Sequence, residues 1–174
     1  MKPFIGIKKI WYGDVITSAV TKTSLKTWLG TATEVENSHQ DTWSYTEDDP
    51  TYTDYINELN GDIYYRDVTQ KGAKTIAFTM GVFSFDDKVD LQGGEKVDTD
   101  AGWAASDTPG IVNKAIVGQT KTGNYIVFTN AAVIAKGNAV EKNIGLGVTA
   151  VAMENPSAGV KSDYMFDGGK VDAV

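Results

Sequence analysis

Side chains that carry chemistry near neutral pH are few in this chain. His39 is its one histidine, Arg66 its one arginine, and cysteine is absent. These residue types supply most general acid–base groups, thiolate nucleophiles, zinc ligands and bidentate anion clamps. Ser38 and Asp41 flank His39, but this matches a hydrolytic triad only in composition, because nothing orders a nucleophile and an oxyanion hole around it. We predict an exposed loop histidine, no catalytic residue, no cofactor and a protein that is not an enzyme.

Carboxylates are abundant instead, and they are clustered. One stretch holds seven of the 23 acids against Arg66 alone: Glu47, Asp48, Asp49, Asp54, Glu58, Asp62 and Asp67. Its first three acids could bind Ca²⁺ with carbonyl groups, but the spaced ligands of an EF-hand loop are absent, so we predict no metal site. Carboxylate pairs for glycoside hydrolysis have little weight without geometry among so many acids. We predict an acidic surface, either an ordinary solvated face or one that repels a passing polyanion, with these candidate residues: Glu47, Asp48, Asp49, Asp54 and Glu58.

Composition and charge exclude several classes of partner. The formal charge of −7 disfavours tight binding to nucleic acid phosphates or to an anionic membrane surface. No apolar run approaches the roughly eighteen residues of a membrane span. Residues 1–11 carry lysines where a secretory signal needs an apolar stretch, so we expect a soluble protein made in the cytoplasm. Hydrophobic residues make up 41% of the 174, which is enough for the core of one domain.

The first half of the chain mixes strands with two predicted helices. Residues 5–14 predict a strand, while 24–29 fit a helical turn or a short strand equally well. Residues 51–61 predict a helix, because Pro50 precedes them, Thr51 and Asp54 match a capping box, and Gly61 can end the helix. Residues 62–69 and 74–80 predict two strands of one hairpin. Ser84 and Asp87 match a second capping box, which predicts a short helix ending before Gly93 and Gly94.

The second half predicts strands separated by long loops. Residues 111–119 and 125–136 predict two strands around a turn, and 143–154 predict a third strand with two apolar faces. Long loops are predicted at 35–50 and 93–110, and a C-terminal arm at 155–174, with 163–166 docking as an edge strand. We predict one mainly β domain, with a β-sandwich or barrel-like core and one or two short flanking helices.

Aromatic residues give a second set of candidate sites. Large aromatic side chains mostly belong to cores and interfaces, although exposed ones also serve as platforms for sugars. Trp43, Tyr45 and Trp103 lie in the predicted loops, whereas Trp11 and Trp28 do not. We predict that subunit contacts involve the loop aromatics and two aromatics of the C-terminal arm, namely Trp43, Tyr45, Trp103, Tyr164 and Phe166.

The order and spacing of the segments from 62 to 156 resemble the major tail tube proteins of long-tailed bacteriophages. The segments that carry the resemblance are KTIAFTM (74–80), LQGG (91–94), GIVNKAIVGQT (110–120), YIVFTNAAVIA (125–135) and NIGLGVTAVAMENP (143–156). The resemblance implies hexameric rings that stack into a hollow tube, within a phage tail or a related injection system. It also implies other tail proteins as partners, no membrane partner, a virion location, and an acidic lumen through which DNA slides without adhering.

Two expectations remain open beside this resemblance. The acidic stretch falls on a predicted helix and its lead-in, whereas lumen charge in such tubes should lie on inward-facing strands. The alternative from another class is a secreted or surface β-sandwich module that binds glycans or proteins through exposed aromatics.

Overall fold

The computed structural model describes residues 1–108 and 110–173. Pro109, in the predicted loop 93–110, and Val174, at the end of the predicted C-terminal arm, lie outside the described residues. The strands are β1 (Lys9–Gly13), β2 (Thr33–Glu34), β3 (Ser44–Glu47), β4 (Thr51–Ile56), β5 (Ile63–Gln70), β6 (Lys74–Met80), β7 (Glu95–Val97), β8 (Gly102–Ala104), β9 (Val112–Gln119), β10 (Tyr125–Val140), β11 (Asn143–Ala152) and β12 (Asp163–Phe166). The helices are α1 (Lys22–Leu29), α2 (Phe85–Gln92) and α3 (Gly168–Val171). The fold is mainly β, as predicted.

Eight strands form one antiparallel sheet. Its order is β2-β1-β9-β10-β11-β6-β3, and β12 pairs with the first residues of β10. The predicted strands at 111–119 and 125–136 are confirmed as β9 and β10, which pair across a turn where the Thr120 N–H donates to the Asn124 carbonyl at 2.8 Å. Strand β10 runs four residues beyond its predicted end because β11 pairs with it as far as Val140. The predicted edge strand at 163–166 is confirmed as β12.

The sheet curls around a shared core. Tyr12 on β1, Phe128 on β10 and Phe78 on β6 are all buried in one cluster, although their strands are far apart in the sheet order. Leu91 of α2 belongs to the same cluster, so this helix covers part of the core. The result is a β-sandwich-like core with three short helices among the described residues.

Helix α2 begins where the sequence predicts it. The Ser84 hydroxyl accepts from the Asp87 N–H, and the Asp87 carboxylate accepts from the Ser84 N–H, as in a capping box. Tyr12 also donates its hydroxyl to Asp87 at 2.6 Å. Burial, followed by this bond to a carboxylate, holds the pKa of Tyr12 well above its usual range. The bond therefore fastens the start of α2 to β1. The segment at 24–29, which the sequence left undecided, is part of helix α1.

The outer side of the sheet is covered over only part of its width. Leu25 of α1 and Val171, the last residue of α3, pack in one buried cluster with Trp11, Val117 and Val127 of β1, β9 and β10. Strands β11, β6 and β3 have no helix packed extensively against them among the described residues. Their outward residues, those that alternate with the core residues, are small or hydroxylated. We call this surface the bare face: Ser44, Thr46, Thr75, Ala77, Gly147, Thr149 and Val151. Thr79, next along β6, is buried and accepts a hydrogen bond from the Asn138 side chain.

The predicted helix at 51–61 is wrong. Residues 51–56 form strand β4, which pairs with β5, and residues 57–61 form the turn between them. Tyr52, Tyr55 and Ile56, with the β-branched threonines around them, favour a strand once a partner is present. Gly61 has φ +79 and ends a turn, not a helix.

The predicted hairpin of 62–69 with 74–80 is also wrong. Strand β5 pairs with β4, whereas β6 pairs with β11 and β3. The loop predicted at 93–110 contains a short hairpin of β7 and β8, and that predicted at 35–50 contains β3. No described helix has the length and apolar character needed to cross a bilayer.

Candidate functional site

A two-stranded ribbon projects from the main sheet. It comprises β4, β5 and the turn between them, residues 51–70, and we call it the arm. The arm continues the β3–β6 pair: Glu47 pairs with Lys74, and Thr51 then pairs with Gln70 in the same register. Its strands pack on each other and make no extensive contact with any other described strand or helix. The arm is thus an extension of the sheet whose faces are open to solvent.

The root of the arm is held by close backbone contact and by charge. The Asp48 N–H donates to the Ala73 carbonyl at 2.9 Å, which keeps the two chains paired where β3 and β6 end. A side chain at Gly72 would collide with the Asp48 carbonyl, so only glycine fits there. Lys74 lies 2.7 Å from Asp163 and 3.4 Å from Glu47, and its hydrogen bond to Asp163 raises the pKa of Lys74. These contacts fix the root to β12 and the loop before it.

Both faces of the arm carry large apolar or aromatic side chains. The exposed ones, none of which was predicted as a site, are Tyr52, Tyr55, Ile56, Leu59, Ile63, Tyr64, Tyr65 and Val68. The Tyr55 ring lies 5.7 Å from that of Tyr65 and 6.4 Å from that of Tyr64. Arg66 lies over the Tyr52 ring at 4.0 Å and donates two hydrogen bonds to Asp54, at 2.5 and 2.8 Å. The Arg66 bonds lower the pKa of Asp54.

The tip of the arm is ordered by short side-chain hydrogen bonds. The Asn57 side chain accepts from the Leu59 N–H, and the Asn60 side chain accepts from the Asp62 N–H, both at 3.0 Å. These Asx turns hold the chain in a defined loop. Leu59 is 95% exposed at this tip, between Glu58 and Asn60. The tip therefore presents one apolar side chain within an acidic loop.

The structure places the predicted acidic residues on the arm and its root. Glu47 ends β3 and lies beside Lys74, and Asp48 and Asp49 follow it at the root. Asp54 lies within β4, and Glu58 lies at the tip. Sequence reasoning found the charge of this element but missed its apolar surface. The sequence does indicate this apolar surface, because neither strand of residues 51–70 has a face that is polar throughout.

The predicted aromatic contacts pack within the chain. Trp43 lies over Gly118 and beside Ile7, and Tyr45 contacts the Phe128 ring at 6.3 Å between centroids. The Trp103 indole donates to the Gly93 carbonyl at 2.9 Å, and Lys88 lies 3.9 Å from its ring. Tyr164 and Phe166 stack on each other. Both also pack against the buried cluster that contains Leu25 and Val171. These residues are half-buried, and the structure does not bring them together with the arm.

The His39 ring has one carboxylate and one backbone carbonyl beside it. The prediction of an exposed His39 is wrong, because its side chain is half-buried. Its Nε2 lies 3.9 Å from Glu141, and its Nδ1 lies 3.1 Å from the Gln40 carbonyl. Within residues 1–108 and 110–173, no group of three acids and histidines is arranged to hold a metal ion. The largest group of exposed apolar and aromatic side chains lies on the arm.

Comparison with known proteins adds no further assignment. No protein-family model matches this chain, and no curated protein is significantly similar to it.

Proposed function

We propose that this protein is a structural subunit that assembles with copies of itself into rings stacked as a hollow tube, as tail tube proteins do. The observation that carries the proposal is the arm, which holds eight large apolar or aromatic side chains in solvent on an ordered ribbon. An isolated two-stranded hairpin is at best marginally stable in water. Exposed apolar patches beyond a few hundred Å² mark interaction sites. A partner that covers the arm would stabilise its fold and would remove its apolar side chains from water.

A second copy of the chain is the partner that this geometry favours. The arm has two open strand edges, and such edges pair readily with other strands. An arm that leaves one side of the molecule makes a heterologous contact, in which different surfaces of the two copies meet. Heterologous contacts close into rings or continue as filaments. A tube of stacked rings uses one heterologous contact that closes within each ring and another that continues from ring to ring. We propose six subunits per ring, because the tail tube proteins that this chain resembles form hexamers.

The bare face supports a passage through such an assembly. Its outward residues carry no charge and include three threonines and a serine. The acids Glu47, Asp48 and Asp49 follow directly at the end of β3, so they border this face. Lys136 pairs with Gly147 and borders this face on the β10 side, but the part on β3 and β6, edged by the carboxylates, offers a polyanion no lysine or arginine to bind. We propose that DNA passes over this surface without adhering, and that the rim supplies the acidic character of the lumen.

The proposal implies assembly without turnover. The partners are copies of this chain and other tail proteins, the cargo is DNA, and the location is the virion tail, after synthesis in the host cytoplasm. No cofactor or membrane has a part in it.

The test is self-association measured by light scattering over a concentration series, with negative-stain images of the same fractions. The parental chain is expected to form rings or tubes. A variant with Tyr55→Ser, Leu59→Ser and Tyr65→Ser is expected to stay monomeric with an unchanged far-UV spectrum. Ile111→Ser, at an apolar residue 64% exposed outside the arm, is the matched control and is expected to assemble normally. A parental chain that stays monomeric at every concentration would refute the proposal.

A module that binds glycans or other proteins is the second candidate. It is favoured by one observation, the closely spaced exposed rings of Tyr55, Tyr64 and Tyr65, because sugars stack on aromatic faces. A monomer that binds polysaccharide, and loses binding in Tyr55→Ala, would support this function over assembly.

A further inference from the structure

The tip of the arm holds the one asparagine in the chain that a glycine follows. Asn60 precedes Gly61, whereas every other asparagine precedes a residue with a side chain. Asparagine is labile because the backbone nitrogen of the next residue can attack its side-chain amide, and a following glycine has no Cβ to hinder that attack. Asn60 and Gly61 are both exposed, and no described atom lies within 4 Å of the position that a Gly61 Cβ would take. The reacting atoms therefore have room to meet.

Local hydrogen bonding folds the Asn60 amide toward the Gly61 nitrogen. Asn60 Oδ1 accepts from the Asp62 N–H at 3.0 Å. The ring of atoms closed by this bond runs from Oδ1 through Cγ and along the main chain to Asp62, so it contains both Cγ of Asn60 and the nitrogen of Gly61. The Asp62 N–H also points at the oxygen on which negative charge develops when Cγ is attacked. A donor placed in this way stabilises the charge.

One hydrogen bond opposes the reaction. The Gly61 N–H donates to the Asn57 carbonyl at 2.8 Å, and this proton must leave before the nitrogen can attack. The bond lies at the end of a ribbon that makes no extensive contact with any other described strand or helix. Such segments open locally at little cost in free energy, without unfolding of the core. The bond therefore slows the reaction relative to an unstructured peptide and does not prevent it.

We infer that Asn60 is a site of spontaneous covalent modification, at which its amide becomes a carboxylate through a cyclic imide. The Gly61 nitrogen loses its proton to a base in the solvent and forms a bond to Cγ of Asn60. The Cγ–Nδ2 bond breaks, and the leaving nitrogen takes a proton from water and departs as ammonia. Water then adds to either carbonyl of the imide and breaks one of its two C–N bonds, which yields aspartate or isoaspartate. Nothing is oxidised or reduced, and water is the only co-reactant.

The modification changes the charge and the backbone of the tip. The new carboxylate lies between those of Glu58 and Asp62, which are both exposed, so one short loop gains a third negative charge. In the isoaspartate product the main chain also runs through Cβ, which adds one carbon atom before Gly61. This inference goes beyond the proposed self-assembly and does not depend on it.

Two other positions of the chain are internal controls. Asn37 precedes Ser38, whose Cβ hinders attack by its own nitrogen. Asp167 precedes Gly168 and could form the same imide by loss of water. However, Gly168 is buried, and its N–H donates to the side chain of the buried Asn124 at 3.2 Å. Neither Asn37 nor Asp167 is therefore expected to react at the rate of Asn60.

The test follows the parental chain during storage. Dilute, unassembled and folded protein is kept at physiological temperature and mildly alkaline pH, and tandem mass spectrometry of proteolytic fragments locates each conversion. Asn60 is expected to gain the mass difference between an amide and a carboxyl at least about tenfold faster than Asn37, because glycine lacks a Cβ. The rate is expected to rise with pH, since the attacking nitrogen must lose its proton. Asn60→Gln is the matched control, because its extra methylene would require a six-membered ring, and it is expected to stay intact.

Native anion-exchange chromatography gives a second readout. The converted fraction of the parental chain is expected to elute later, with one more negative charge and an unchanged far-UV spectrum, while Asn60→Gln gives no such fraction. An Asn60 that stays intact in the folded chain but converts in urea would show that the turn protects it, and would overturn the inference. Conversion of Asn37 as fast as that of Asn60 would overturn it as well.

Discussion

Lys74 donates a hydrogen bond from Nζ to Asp163 Oδ2 at 2.7 Å, which joins the first residue of β6 to the first residue of β12. Lys74 also lies 3.4 Å from Glu47, its cross-strand partner in β3. One ammonium group thus links both strands at the arm root to the C-terminal strand. The orientation of the arm depends on this root, because the arm has no other extensive contact with the described body.

Removing the Lys74 ammonium is expected to loosen the arm root. Lys74→Met leaves two carboxylates without their cation, so we expect the free energy of unfolding to fall by about 1 kcal/mol, the upper range for incompletely buried pairs. Urea unfolding followed by tryptophan fluorescence measures this change. Lys9→Met is the matched control, because the Lys9–Glu34 pair is more exposed and is expected to matter less. Equal losses in both variants would contradict a special role for Lys74.

The close packing of Trp43 on Gly118 gives a second prediction. A Cβ atom at Gly118 would lie 2.7 Å from the Trp43 ring and 3.1 Å from Ile7. Gly118→Ala is therefore expected to destabilise the fold by about 1–3 kcal/mol through overpacking. Gly137→Ala, also in a strand, meets nothing within 4 Å and is expected to change stability by less than about 0.5 kcal/mol. Thermal unfolding of the pair checks this difference, and a neutral Gly118→Ala would show that the Trp43 ring can move away.

Elements with local signals were predictable from sequence. Helix α2 has its capping box at Ser84 and Asp87, and β9 and β10 are consecutive strands around a turn containing Gly123. Each of these signals lies within a few residues of the structure that it specifies. The predictions were confirmed because no distant partner competes with these local choices.

The arm was not predictable in the same way. Pro50, Thr51, Asp54 and Gly61 match the start and end of a helix, yet the segment pairs with β5 because β3 and β6 bring the two chains together. Strands β4 and β5 are consecutive strands of a local hairpin, but the β3–β6 pairing that continues into it joins residues 27–33 positions apart and has no signal within residues 51–61. The same reason explains the candidate site. Acidic residues can be counted in a sequence, but the exposure of Tyr55 and Leu59 follows only from the absence of a neighbouring element.

Alkaline pH is expected to weaken the fold through Tyr125. Burial and a hydrogen bond to Asp172 raise the pKa of Tyr125 to about 12. A group whose folded pKa is raised contributes stability fully below its unfolded pKa, near 10, and loses it as pH rises to about 12. The free energy of unfolding should therefore fall over this window. Tyr125→Phe is expected to be less stable at pH 7 but to show a shallower decline between pH 10 and 12, measured by urea unfolding at each pH. An unchanged slope would assign the decline to other groups, Tyr12 among them.

A lysine introduced on the bare face tests whether this face contacts the DNA that passes through the tube. Thr149 is exposed on β11, opposite Ala77 of β6 and Ile134 of β10. If this face meets DNA, tubes of Thr149→Lys are expected to retain short duplex DNA at low salt and to release it as salt rises, because lysine–phosphate contacts release counterions. Co-sedimentation of labelled duplex with assembled tubes measures this retention. Thr27→Lys, on the exposed side of α1, is the matched control with the same charge change. Equal retention by both variants would show that DNA does not contact the bare face more than other surfaces of the tube.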